Sequence, residues 1–125
     1  MKNVMRVIAV VTLFIATSAM AASLDGSYTF SSRVKDGKPD LVGWTGAMNI
    51  SNNMMARDYK SPDGKETKFY EGTMKQDGGN YTIKFTKAYK PEYVGAEHKN
   101  KITLSGKTLT MEAVDGKFKE VWTKK

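Results

Sequence analysis

With 125 residues, one histidine and no cysteine, the chain has room for one domain around one core. Disulfides and thiol chemistry are excluded, and a zinc site would need an unusual ligand set. The net charge of +7 is carried mostly by lysines that alternate with apolar residues, the pattern of solvated strand faces.

Residues 1–22 read as a secretory leader. Lys2 and Arg6 precede an apolar run from Val7 to Ile15, and Ala19-Met20-Ala21 offers a small-residue cleavage site. The run is too short to cross a bilayer comfortably. Cleavage after Ala21 or Ala22 is expected, leaving a periplasmic or secreted chain with no integral membrane span and no cysteine for a lipid anchor. The leader carries two basic and no acidic residues, so the charge of residues 23–125 falls to +5.

Beyond the leader, short segments rich in Thr, Tyr, Val, Ile and Phe alternate with Asp-Gly and Gly marks, which predicts an all-β domain. The first strand is expected over Gly26 to Lys35, with Tyr28, Phe30 and Val34 on one face, followed by a loop over Asp36 to Asp40. The second runs Val42 to Ser51, with Val42, Trp44, Met48 and Ile50 aligned, and Asn52-Asn53 turns the chain into a third, Met54 to Lys60. Ser61-Pro62-Asp63-Gly64 is a turn leading to a fourth strand, Glu66 to Lys75. Asp77-Gly78-Gly79-Asn80 then closes a hairpin with a fifth, Asn80 to Ala88, in which Tyr81, Ile83 and Phe85 alternate with polar residues. After a longer loop over Tyr89 to Gly95 come Glu97 to Leu104, Thr108 to Val114, and Phe118 to Thr123. Eight such strands fit an eight-stranded antiparallel up-and-down β-barrel, which leaves no open sheet edge and has an interior wide enough for side chains or one small ligand.

The order of several marks resembles the bacterial lipocalin-like domain family. Leu24-Asp25-Gly26-Ser27-Tyr28 is similar to its opening Gly-x-Trp, with Tyr in place of Trp, and Gly46 to Ile50 resembles its second strand. Tyr70-Glu71-Gly72-Thr73-Met74 resembles its Gly-Thr-Tyr strand. Pro91 to Gly95 and then Leu104 to Thr110 resemble its Pro…Gly and Gly-x-x-Leu-x-Leu marks. The ending Val121-Trp122-Thr123-Lys124 is similar to its closing Trp-x-Arg, with Lys in place of Arg. The resemblance covers residues 24–125. It implies a barrel able to hold a small apolar molecule, and it implies neither a reaction nor a cofactor.

The expected function is therefore non-catalytic binding of a small hydrophobic or amphipathic molecule, by a monomer that needs no cofactor and no metal. The expected lining is Phe30, Trp44, Met48, Tyr59, Tyr70, Tyr81, Ile83, Phe85, Asn100 and Met111, with His98 near the mouth. Met48, Met74 and Met111 suit a permissive pocket and suit ordinary core packing equally well. Arg57 and Tyr59 share a face of the third strand, with Glu71 on the next strand as one possible partner. Glu120 alternates with Phe118 and Trp122, which favours an inward position, where it needs a partner such as Arg57 or Lys124; the reversed register would put Glu120 outside and Val121 within. The alternative is an envelope interaction module that works through its basic exterior around a filled core. No aromatic–basic interleaving of the kind that stacks bases is evident along the chain, so nucleic acid is not an expected partner.

Overall fold

The structure is a computed structural model that describes residues 23–125, so the secretory leader lies outside the described residues. Nine strands follow in chain order: β1 (Gly26–Lys35), β2 (Lys38–Asp40), β3 (Thr45–Ser51), β4 (Met54–Lys60), β5 (Thr67–Asp77), β6 (Asn80–Ala88), β7 (Glu97–Ser105), β8 (Thr108–Ala113) and β9 (Phe118–Lys124). A single 3₁₀ turn, Pro91–Tyr93, sits between β6 and β7.

All pairings are antiparallel. The order is β1-β3-β4-β5-β6-β7-β8-β9, and β9 pairs back onto β1, so eight strands close a barrel. The short β2 folds back on the outer half of β1 through Arg33↔Asp40, Val34↔Pro39 and Lys35↔Lys38. The chain alternates between the two ends of the barrel. The start of β1, the end of β9, Asn52-Asn53, Gly78-Gly79 and Gly106-Lys107 lie at one end; the β1–β3 connection, the β4–β5 turn, the β6–β7 loop and the β8–β9 turn form the other.

Local sequence accounts for most of these elements. Asn52 and Asn53 both take left-handed φ, at 50° and 60°, the pair of angles that matches a two-residue turn to strand twist. Gly78, at φ 61°, starts the two-residue turn between Asp77 and Asn80, and Gly79 completes it without a left-handed φ. Inward residues then alternate along β8 (Leu109, Met111, Ala113) and along β9 (Glu120, Trp122), giving the dry face of each strand.

Two expectations need correction. The strand expected from Val42 begins only at Thr45, and Val42 is 74% exposed. Leu41 and Gly43 both take positive φ, and the Trp44 N–H closes a turn onto the Leu41 carbonyl, so the apolar residues here cannot run on as a strand. On β1, Val34 is exposed although Tyr28 and Phe30 are buried. The register against β9 slips between Phe30 and Ser32, a bulge at Ser31. One extra residue reverses every later side chain, so Arg33 turns inward where Val34 was expected.

The end at which β1 starts and β9 finishes is closed. Tyr28, fully buried, donates its hydroxyl proton to the Leu24 carbonyl, and burial pushes its pKa up. Lys124, register partner of Tyr28, lays its stem over Gly26, where an added Cβ would lie 2.7 Å from its Cε. Lysine thus covers this end with its alkyl chain. A second close approach occurs at Gly72, beside the β5–β6 register slip, where a Cβ would overlap the Lys84 carbonyl of the facing strand. Gly72→Ala must push two paired backbones apart, and a loss of about 1–3 kcal/mol in urea unfolding is expected. An unchanged midpoint would show that β5 and β6 can separate there freely.

Candidate ligand site in the barrel mouth

The lower and middle interior is solid. Tyr28, Phe30, Met48, Ile50, Met55, Tyr59, Leu109, Met111 and Trp122 form one buried cluster. Phe30 meets Tyr59 and Trp122 edge to face, each with ring centroids 5.3 Å apart.

Glu120 stands in this apolar setting with no exposure at all. It is kept there by donors from four strand positions. Arg57 Nη1 donates to its Oε1 at 3.0 Å and Trp122 Nε1 does so at 3.0 Å. The Tyr59 hydroxyl lies 2.8 and 2.7 Å from the two carboxylate oxygens, and Arg33 Nη1 donates to Oε2. Arg33 also places its Nε 3.0 Å from Asp40 on β2, so the small β1–β2 hairpin anchors the outer guanidinium. Burial alone would raise the Glu120 pKa; the charges of Arg57 and Arg33 and the bonds from Tyr59 and Trp122 outweigh it and hold the carboxyl below its ordinary range. Burial likewise opposes the charge of Arg57, and Tyr59, Glu120 and Tyr70 around it more than restore it. Burial drives the Tyr59 phenol well above its usual value, so it stays a donor. A carboxylate so fully donated to is a poor general base.

Above this plug the barrel opens. A cavity of about 130 Å³ is lined by Arg57, Tyr70, Ile83, Phe85, Tyr93, His98, Asn100 and Phe118. Register explains the convergence. Arg57 pairs with Tyr70 across β4–β5, Ile83 with His98 and Tyr81 with Asn100 across β6–β7. Aromatic rings form much of the wall: Tyr70 and Phe85 have centroids 4.9 Å apart, and Tyr93 stacks on Tyr70 at 6.2 Å. The Arg57 guanidinium lies 5.0 Å from the Tyr70 ring centre. His98 sits at the rim with its ring 5.1 Å from Phe85, and burial, then the Arg57 charge, pulls its pKa down, so it is neutral at neutral pH. Outside, His98 and Phe118 also border a wider depression of about 540 Å³ with Ala113, Val114 and the stems of Lys35, Lys99 and Lys117.

Two polar atoms at this cavity have no partner among the described residues. Arg57 Nε and Asn100 Oδ1 are both buried and make no hydrogen bond. Their residues are 6% and 1% exposed. Leaving such groups unmatched is costly, and both lie within the wall of the cavity with no surface open to it.

Of the residues expected to line a pocket, Tyr70, Ile83, Phe85, His98 and Asn100 meet here. Phe30, Met48, Tyr59 and Met111 lie below, in the packed core. Tyr81 borders a shallow hollow at the closed end with Asn52, Asn53 and Met74. Trp44 stands half-buried under Lys68, whose Nζ is 5.3 Å from its ring centre. Arg57 takes Glu120 as its carboxylate partner, and Glu71 faces an outer groove with Ala47 and Phe69. Arg33 escaped the sequence reading because only the bulge turns it inward. Tyr93 escaped because it lies in a loop, and Phe118 because it served only to set the facing of Glu120. The mouth also gathers rings and cations from separate segments. Lys68 approaches both Trp44 and Tyr89, and Lys90 lies 5.8 and 5.7 Å from the Tyr89 and Tyr93 rings.

An all-antiparallel eight-stranded barrel, closed by β9 pairing back onto β1, is the lipocalin-like fold. No protein-family model matches the chain, and no curated protein matches it by sequence. Solved structures do match it in shape. A lipocalin-like protein from Bacteroides uniformis has a TM-score of 0.59 and 18% identity, with 82% of this chain and 98% of that one covered. An uncharacterized protein from Bacteroides eggerthii has a TM-score of 0.58 and 13% identity, with 82% of this chain and 100% of that one covered. At these identities the likeness is one of fold.

Proposed function

We propose that this chain is a non-catalytic, exported carrier that holds a small amphipathic molecule in the mouth of its barrel. The observation that carries the reading is the cavity above the Glu120 plug, with aromatic walls and the polar residues Arg57, His98 and Asn100 among its lining. Its volume, about 130 Å³, decides the scale of the guest. An apolar cavity of about 150 Å³ takes up benzene, so this one suits a single ring, with any longer part lying in the outer depression. An extended acyl chain has no room below, where the core is packed. Glu120 supports a binding role over a catalytic one, since its charge is spent on four donors. The leader pattern of residues 1–22 supports export, and the mature chain would act as a monomer without nucleic acid as a partner.

Native mass spectrometry of protein purified from the cells that make it tests this. The expected result is a small adduct on the unsubstituted chain that is absent from Ile83→Trp, whose added ring occupies the cavity. A bare chain in both, with no uptake of small aromatic compounds added afterwards, would overturn the carrier reading. It would favour a partner that meets the outer surface.

A further inference from the structure

We infer that the guest is a one-ring organic anion, its ring in the cavity and its charged head group at the rim beside Lys68 and Lys90. The inference rests on the carrier reading above and adds to it the charge of the guest.

Three observations select this chemistry. First, the cavity of about 130 Å³ takes one ring, and Tyr70, Phe85, Tyr93 and Phe118 are among its lining. Flat guests gain contact against such walls that aliphatic ones do not.

Second, a cation stands just above it. Lys68 pairs with Tyr59 across β4–β5, shares the inward face of β5 with Tyr70, and is nearer the mouth. Two residues of strand separate it from Tyr70 by roughly 7 Å, the reach of a ring with a short two-carbon arm. Half-buried, Lys68 holds its Nζ 5.3 Å from the Trp44 ring centre and 6.0 Å from that of Tyr89. Lys90 approaches the same Tyr89 ring at 5.8 Å and the cavity-lining Tyr93 at 5.7 Å. Tyr70, Tyr89 and Tyr93 pack on one another, so this rim is continuous with the cavity wall.

Third, neither ammonium has a counter-ion among the described residues. The ion pairs there belong to Arg33 and Arg57, and Glu66 and Glu92, each two residues along the chain, reach neither lysine. Lys68 Nζ makes no hydrogen bond and is not among the buried unmatched atoms, so solvent reaches it. Arg57 is already met by Glu120, which leaves the free positive charge at the rim and not in the cavity. Two like charges drawn to one ring repel each other, and an anion beside both replaces that repulsion with attraction. The wider outer depression, by contrast, sets Glu97 and Asp115 among its lysines and favours neither sign.

Titration calorimetry on the purified chain, at low and raised sodium chloride, separates the possibilities with four probes. These are phenylpropionate, its neutral amide phenylpropionamide, the cation phenylpropylamine, and inorganic phosphate. Phenylpropionate should bind about tenfold or more tighter than each of the others, the scale of a charge-assisted bond in a half-buried place. Raised salt should weaken the acid and leave the amide unchanged. Lys68→Met should bring acid and amide to equal affinity. Lys75→Met, the same loss of charge at an exposed position of β5, should keep the preference. Should Lys68→Met not fold, Lys90→Met takes its place, with part of the preference lost. Acid and amide binding equally to the unsubstituted chain would overturn the anion while leaving the carrier role standing. So would an equal loss in Lys68→Met and Lys75→Met, which would place the effect in net charge alone. Phosphate binding as tightly as phenylpropionate would overturn the one-ring class and leave a rim site for any anion. No heat and no thermal shift with any of the three ring compounds would sink both the class and the carrier.

Discussion

Glu120→Ala should unfold this protein more readily than almost any other single change, with a loss of about 3–5 kcal/mol. The substitution removes the acceptor for Arg57, Arg33, Tyr59 and Trp122 together. Arg33 keeps Asp40, but Arg57 keeps only the weak Met111 sulfur, 3.2 Å away. A guanidinium that is 6% exposed would then have no counter-ion. For a domain of this size each kcal/mol lost lowers Tm by roughly 4–8 °C, so differential scanning calorimetry reads the effect easily. Adding Arg57→Met to Glu120→Leu should recover part of the loss, since the orphaned charge goes with it. Strict additivity of the two would show that the pair is not coupled.

The same carboxylate makes a pH prediction. The Glu120 pKa in the folded chain lies below its ordinary 4.5. The unfolded chain therefore takes up this proton first as pH falls. The stabilisation is fully present above the ordinary value and drains away as pH drops from there through the lowered folded value. The stability gap between the parent and Glu120→Gln should accordingly be widest near neutrality and should narrow in acid. A gap that stayed constant down to the lowest pH at which both fold would show that Glu120 titrates normally.

Trp122→Ala is the second large effect, expected at about 3–5 kcal/mol. Trp122 is fully buried at the centre of the barrel, between Phe30 and Tyr59, and its Cη2 would lie 3.5 Å from a Cβ at Gly46. The strands around it are locked in a closed ring, so the space it vacates cannot collapse, and unfilled volume carries its own cost. Trp122→Phe separates the ring from its polar edge. It keeps most of the packing and removes only the Nε1 donor to Glu120, so a loss of about 1 kcal/mol is expected. Chemical denaturation of the three forms checks the order. Equal losses for Ala and Phe would place the whole effect in the hydrogen bond.

The cavity and this plug are separate devices, although Arg57 belongs to both. Its Nη1 reaches Glu120, while its guanidinium lies over the ring of Tyr70 and the residue lines the mouth. That arrangement lets the base of the cavity be rigid. A guest would meet an arginine already fixed in place and neutralised, and binding would order little that is not ordered already.

Much of this architecture is local and therefore legible in the chain. Positive φ at Asn52, Asn53 and Gly78 sets the tight turns, and period-two alternation in β4, β6, β8 and β9 sets which side chains face inward. Those two rules carry the eight strands and which of their side chains share a face, because each depends only on neighbours within a few residues; the closure of β9 onto β1 does not. What alternation could not yield is a break in alternation. The bulge at Ser31 is a matter of how β1 meets β9, some ninety residues further on, and it alone brings Arg33 to Glu120. How full the barrel is was equally out of reach. Phe30, Met48, Tyr59 and Met111 face inward as their strands dictate. Whether an inward face lines a space or fills one depends on the side chains opposite, and there Trp122 and the Glu120 cluster close the middle. Sequence by itself determined the container and the facing of its staves; only the tertiary packing decided that the hollow is a small one, at the mouth, because volume is a property of all eight strands at once.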